Sequence, residues 1–140
     1  MLEIVAAIIG CITGLFGLGI SLFSIHHNKT VAVHEFLSKM ESDAFITARR
    51  AVYNRPNNAE CDLQDKDASL VVNIFHHWGM LARRRYLPMW VFDGASGSGA
   101  CRLYEKLEPY IQKRRDHHRD NNYAEHFEWL YKKLKRKQLR

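Results

Sequence analysis

From Leu2 to Ile25 the chain carries a single charge, Glu3, and is otherwise apolar or made of Gly, Ser, Thr and Cys. A run of this length and apolarity does not belong in a small aqueous core; it reads as a transmembrane helix. Its 24 residues make about 36 Å of helix at 1.5 Å each, enough to cross the hydrocarbon with some tilt. About 115 residues remain outside it, sufficient for one small core. These proportions exclude a multidomain enzyme, a collagen-like chain and a disordered tail.

A cleaved signal peptide is the competing reading. The run has no basic segment ahead of it, is too long, and lacks an A-x-A-like site behind it, so a retained anchor is expected. Charge then sets orientation. All 21 Lys and Arg lie after residue 28, together with every acid except Glu3. His26, His27 and Lys29 follow the run directly. The positive-inside bias predicts the N-terminus outside and the basic body in the cytoplasm. The expected division is an anchor over 1–27 and a cytoplasmic helical domain over 28–140. The sequon Asn28-Lys29-Thr30 would face the cytoplasm and is read as chance. Cys11, Cys61 and Cys101 form no spaced framework and suit reduced thiols.

The anchor has two faces. At 100° per residue Glu3, Ala6, Gly10, Thr13, Gly14, Gly17, Ser21 and Ser24 fall in one stripe about 100° wide. Ile4, Ile8, Ile12, Leu15, Phe16, Leu22 and Phe23 point elsewhere. Ala6, Gly10 and Gly14 form a small-xxx-small ladder that lets two backbones approach closely. Homo-oligomeric helix association is expected, either without a channel or as a ring whose stripe lines a pore. In a ring, Glu3 would give a circle of carboxylates favouring cations. An unassociated anchor is the third reading.

No Pro or Gly occurs between Ile20 and Arg55, and Val33, Leu37, Met40, Ala44, Ala48 and Ala51 repeat at helical spacing. The membrane helix is therefore expected to run on to about Tyr53, where Asn54-Arg55-Pro56-Asn57-Asn58 ends it. A polar loop over 54–67 follows. The next helix is expected from an N-cap at Asp67, with Leu70, Val71, Ile74, Phe75, Trp78, Leu81 and Ala82 inward and Arg83 to Arg85 at its end. Gly94 to Gly99 reads as a flexible connection; without a following Lys-Ser/Thr it is no phosphate loop. A third helix over 100–118, carrying Leu103, Leu107, Tyr110 and Ile111, should kink at Pro109. A last helix is expected over 123–137 on Phe127, Leu130, Tyr131 and Leu134. The fold class is all-α: a transmembrane helix continuing into a small cytoplasmic bundle.

The pairs His26-His27, His76-His77 and His117-His118 are poor metal chelators, since helical neighbours point about 100° apart. No metal and no cofactor is expected. Arg119 and His126 are separated by six residues and fit the loose Arg-x(4–6)-His pattern of HEPN ribonucleases, which are small helical bundles. There His would act as general acid or base on an RNA 2′-hydroxyl and Arg would stabilise the anionic transition state. A structural Arg–His pair near a helix junction is the plainer reading, and catalysis is not the expected activity. Lys132, Lys133, Lys135, Arg136, Lys137 and Arg140 make a basic tail suited to a helix end, or to anionic lipid or RNA, lipid first given the anchor.

The stretches Val71-Val72-Asn73-Ile74-Phe75-His76-His77-Trp78-Gly79-Met80-Leu81, Tyr86-Leu87-Pro88-Met89-Trp90-Val91-Phe92, Arg102 to Ile111 and Tyr123 to Tyr131, in this order behind an anchor, resemble an uncharacterised family of small bacterial single-pass membrane proteins. The resemblance covers most of the chain and rests mainly on core residues. The layout together with Arg119 and His126 is also similar to the membrane-pore accessory proteins of type VI-B CRISPR systems, which are divergent HEPN-like proteins. That second resemblance implies an oligomeric membrane pore that strengthens RNA-targeting antiviral defence, with an RNA-guided effector protein or RNA as partner. The alternatives are a membrane-tethered HEPN-type ribonuclease and a non-catalytic membrane adaptor.

Overall fold

The computed structural model describes residues 2–56 and 62–138, without the side chains of residues 2, 3 and 5–9. It contains five α-helices and one 3-10 turn: α1 (Leu2–Met40), α2 (Asp43–Tyr53), α3 (Lys66–Arg83), the turn Met89–Phe92, α4 (Ala95–His118) and α5 (Glu125–Gln138). No strand occurs among the described residues, and the all-α class expected from the sequence is the class observed.

Helix α1 is long and apolar enough to cross a membrane, and none of its most apolar 18 residues is buried within the chain. Its residues from Gly10 to Val31 are exposed, with Leu15, Phe16, Leu22 and Phe23 each about 70% exposed. An apolar surface this long in water would be far beyond what a soluble monomer tolerates. Contact with the bundle begins at Ala32, followed one turn later by Phe36; both are buried.

The helix does not run unbroken to Tyr53. It ends at Met40, and Ser42 takes an extended conformation with ψ 132°. The Ser42 hydroxyl donates to the Lys39 carbonyl at 2.8 Å, offering the backbone a local alternative to the helix. The break re-aims the next helix, so Phe45 rather than Ala44 enters the core, with Ala48 and Val52 behind it. Leu37, one of the residues repeating at helical spacing, is 52% exposed, because Ala32 and Phe36 carry the inward face of α1.

Helix α2 lies antiparallel to α3. At one end the Phe45 ring sits 5.4 Å from Trp78 and 5.9 Å from Phe75. At the other, Arg55 pairs with Asp65. Asp65, two residues before the expected Asp67, is the N-cap, its carboxylate accepting from the Ala68 N–H at 3.0 Å. Asp67 sits in the first turn, where a negative charge suits the dipole.

Helix α5 packs across α3 and α4. The Phe127 ring stacks on Phe75 at 4.7 Å and meets Tyr104 edge-on at 5.1 Å. It begins at Glu125 instead of Tyr123, because buried Ala124 takes a left-handed φ of 61°. Helix α4 begins at Ala95, so the Gly/Ser run is helical and not a flexible connection. Two things make it so. The Ser96 hydroxyl donates to the Val91 carbonyl at 2.8 Å. Gly97 is buried so tightly that a Cβ there would lie 2.1 Å from the Phe92 carbonyl oxygen. Pro109 lies inside α4 on its exposed side. Buried side chains from every element join in one core.

Candidate functional site

Within α1 the face expected to mediate association is open. Added Cβ atoms at Gly10, Gly14 and Gly17 would meet nothing within 4 Å. The Thr13 hydroxyl donates to the Gly10 carbonyl at 3.1 Å, and the Ser21 hydroxyl to the Gly17 carbonyl at 2.9 Å. Their polarity is thus satisfied along the helix, which leaves the stripe smooth enough for close backbone approach. Ser24 is exposed on the same face. The side chains of Glu3 and Ala6 lie outside the described residues.

Arg119 and His126 are not partners. Arg119 caps α4 in a left-handed conformation with φ 52°, exposed, and none of the hydrogen bonds, ion pairs or ring contacts of His126 involves it. His126 opens α5 and is drawn into the contact with α3. Its Nδ1 lies 3.5 Å from Arg83 Nη1, its Nε2 lies 3.3 Å from a Glu125 oxygen, and its ring centroid is 4.8 Å from that of His76. Burial, then the neighbouring His126, hold the His76 imidazole below the ordinary histidine pKa; Glu125 opposes this and His77 adds to it. His76 Nδ1 is buried without a hydrogen-bond partner. On the outer side, His77 Nε2 faces a Glu35 oxygen at 3.7 Å, joining α3 to α1. No group of three metal-ligating side chains occurs among the described residues.

The basic tail is a docked helix. Lys132 pairs with Glu128, Lys135 with Glu105 and Lys137 with Asp93, so half of the expected patch is spent within the bundle. Lys133 and Arg136 are exposed without an ion-pair partner among the described residues. Arg140 lies outside them.

A half-open hollow stands beside the join of α1 and α2. It has a volume of about 260 Å³, with walls from Phe36, Trp78, Phe92 and Leu103 and with Arg49 and Arg50 on its α2 side.

Residues 4–134 match the profile of DUF4760, a domain of unknown function. The chain belongs to the DUF4760 family. No curated protein and no solved structure shows significant similarity to it. The DUF4760 match takes in α1 as well as the bundle, so the apolar helix and the globular part are matched as one unit.

Several organising residues of this DUF4760 chain carry no obvious sequence signal. Arg115 is only 11% exposed; its Nε donates to the Tyr123 carbonyl at 2.9 Å and its Nη2 to Glu128 at 2.9 Å, fixing the α4–α5 turn. Arg83 reaches His126 and Glu125 across 43 and 42 residues of sequence. Gly79 sits where a Cβ would lie 2.2 Å from the His126 carbonyl oxygen. A glycine inside an otherwise strong helix is a signal for such close approach, and it lies in one of the stretches that carry the family resemblance.

Proposed function

We propose that the protein is a membrane-anchored, self-associating effector of bacterial antiviral defence that permeabilises or depolarises the inner membrane. The single observation behind this reading is the open small-residue face of α1, from Gly10 through Gly14 and Gly17 to Ser21, on a helix that meets its own bundle only from Ala32 onward. A lone anchor needs no such face; an assembled one does. The N-terminus lies outside and the bundle in the cytoplasm, as the one-sided distribution of Lys and Arg favours. The bundle holds the copies in register and receives the signal. Its membrane-proximal edge starts seven residues after Ile25, about 10 Å along the helix.

The test is induced expression in bacterial cells with a potential-sensitive dye, followed by dye release from liposomes containing the purified protein. Wild type depolarises cells and releases dye, while Gly14→Leu does neither, because bulk at the closest contact blocks assembly. A Gly14→Leu variant that assembles and acts like wild type removes the reading.

A second reading, a membrane-tethered ribonuclease, is favoured by the meeting of His76, His126 and Arg83. Two imidazoles and a guanidinium are the groups that acid–base cleavage of RNA uses. The arginine in reach is Arg83, not Arg119. Under this reading His126→Ala and Arg83→Ala abolish cleavage of a labelled RNA and Arg119→Ala does not. Wild-type protein that leaves RNA intact eliminates it.

A further inference from the structure

The hollow beside the α1–α2 join has the chemistry of a ligand site. Helix α2 presents Ile46, Arg49, Arg50 and Tyr53 to it, residues at i, i+3, i+4 and i+7 and hence one face of the helix. Opposite lie aromatic rings, with Phe36 4.5 Å from Trp78 and 5.2 Å from Phe92. No carboxylate lines the cavity. The Arg49 guanidinium stands 5.7 Å from the Phe45 ring, and neither Arg49 nor Arg50 forms an ion pair among the described residues. The acids next in sequence to the aromatic wall face other partners, Asp93 meeting Lys137 and Glu35 meeting His77. Arg49 and Arg50 thus bring two positive charges to the rim of an apolar hollow. An anion with an apolar body satisfies both halves at once.

The geometry points to this cavity as a binding site for a small amphipathic anion, its acidic group held by Arg49 and Arg50 and its aromatic or short aliphatic body against Phe36, Trp78 and Phe92. At about 260 Å³ the space falls just below the ~300–1,000 Å³ of pockets that take drug-sized ligands, so the body is short. The source is the aqueous phase. Phe36 lies eleven residues past Ile25, about 16 Å along α1, which is beyond the ~5–8 Å headgroup layer on each side of the hydrocarbon. Occupancy would brace α2 against the end of α1 across the Ser42 break. The site includes no residue of the apolar run Leu2–Ile25, so the pore reading and this one stand or fall separately.

The test is calorimetric titration of the full-length protein in lipid nanodiscs with 4-phenylbutanoate, after subtraction of empty nanodiscs. Three comparisons accompany it: 4-phenylbutan-1-ol, which keeps the body and lacks the charge; inorganic phosphate, which keeps a charge and lacks the body; and the variant Arg50→Gln. Arg50 is exposed, so this change spares the core. Saturable one-to-one binding of the phenylbutanoate is expected, weakened about tenfold or more by Arg50→Gln and by replacing the acid with the alcohol. Arg84→Gln, at the C-cap of α3 and outside the lining, leaves it unchanged. No saturable heat with wild type, or equal affinity of wild type and Arg50→Gln, overturns the site. Phosphate binding as tightly as phenylbutanoate overturns the apolar half, and equal binding of the alcohol overturns the ionic half.

Discussion

The backbone of Gly79 in α3 and the carbonyl of His126 in α5 approach so closely that a Cβ on residue 79 would sit 2.2 Å from the His126 oxygen. This contact sets how deeply α5 seats on α3 and brings His126 beside His76 and Arg83. Gly79→Ala should force the two helices apart and cost about 1–3 kcal/mol, the range for overfilling a close-packed contact. The check is the thermal unfolding midpoint of the full-length protein followed by tryptophan fluorescence. Because Gly79 is in a helix interior, an open site would instead gain about 1 kcal/mol from the same change. A stabilised Gly79→Ala protein would show that the helices are not this close.

The His76 imidazole is held below its usual range by burial and by His126. Its pKa in the unfolded chain is the ordinary 6.5. Between that value and the lower folded one, the unfolded state binds more protons than the folded state. Stability therefore rises with pH through this window and is lost as pH falls below about 6.5. Unfolding midpoints measured from pH 5 to 8 should show this fall, and His76→Phe should flatten it. An unchanged slope in His76→Phe would assign the dependence elsewhere.

Much of this architecture was legible in the residues. The apolar run declares itself because lipid tolerates almost no charge, and the α3 and α5 faces because their large side chains repeat at helical spacing. The break at Ser42 was hidden, since it uses a serine hydroxyl where sequence reasoning looks for Pro or Gly. The run from Gly94 to Gly99 reads as a loop for the opposite reason. Its glycines signal freedom in isolation, but Gly97 is there to let α4 touch Phe92. The surroundings of His126 were beyond a local motif: the nearby Arg119 turns away as a helix cap, and Arg83 arrives from another helix.

Arg119 and Arg115 should therefore behave differently. Arg119→Ala removes an exposed side chain without a partner among the described residues and should change stability by no more than about 0.5 kcal/mol. Arg115→Ala strands the Tyr123 carbonyl and leaves Glu128 with Lys132 alone, and should cost about 1–3 kcal/mol. Parallel thermal melts of the two variants decide this; equal losses would contradict the roles assigned to them.

Asp65 caps α3 and pairs with Arg55 at the turn between α2 and α3. Burial pushes its carboxyl up, but the Arg55 hydrogen bond, the Ala68 N–H and the Arg55 charge together outweigh that and leave it below the usual aspartate pKa. Asp65→Ala should cost about 1 kcal/mol as a lost cap, while Asp65→Asn, which still caps, should keep most of it. If Asp65→Asn melts as low as Asp65→Ala, the ion pair with Arg55 matters more than the cap.

The central claim is that the bare face of α1 joins copies of this chain in the membrane. The most direct measurement is the mass of the detergent-extracted full-length protein by light scattering, corrected for bound detergent, for wild type and Gly14→Leu. The account predicts a discrete ring-sized assembly of about six or more copies, enough helices to enclose a lumen, that Gly14→Leu breaks down. A wild-type monomer or dimer, or a Gly14→Leu protein of unchanged mass, would contradict it.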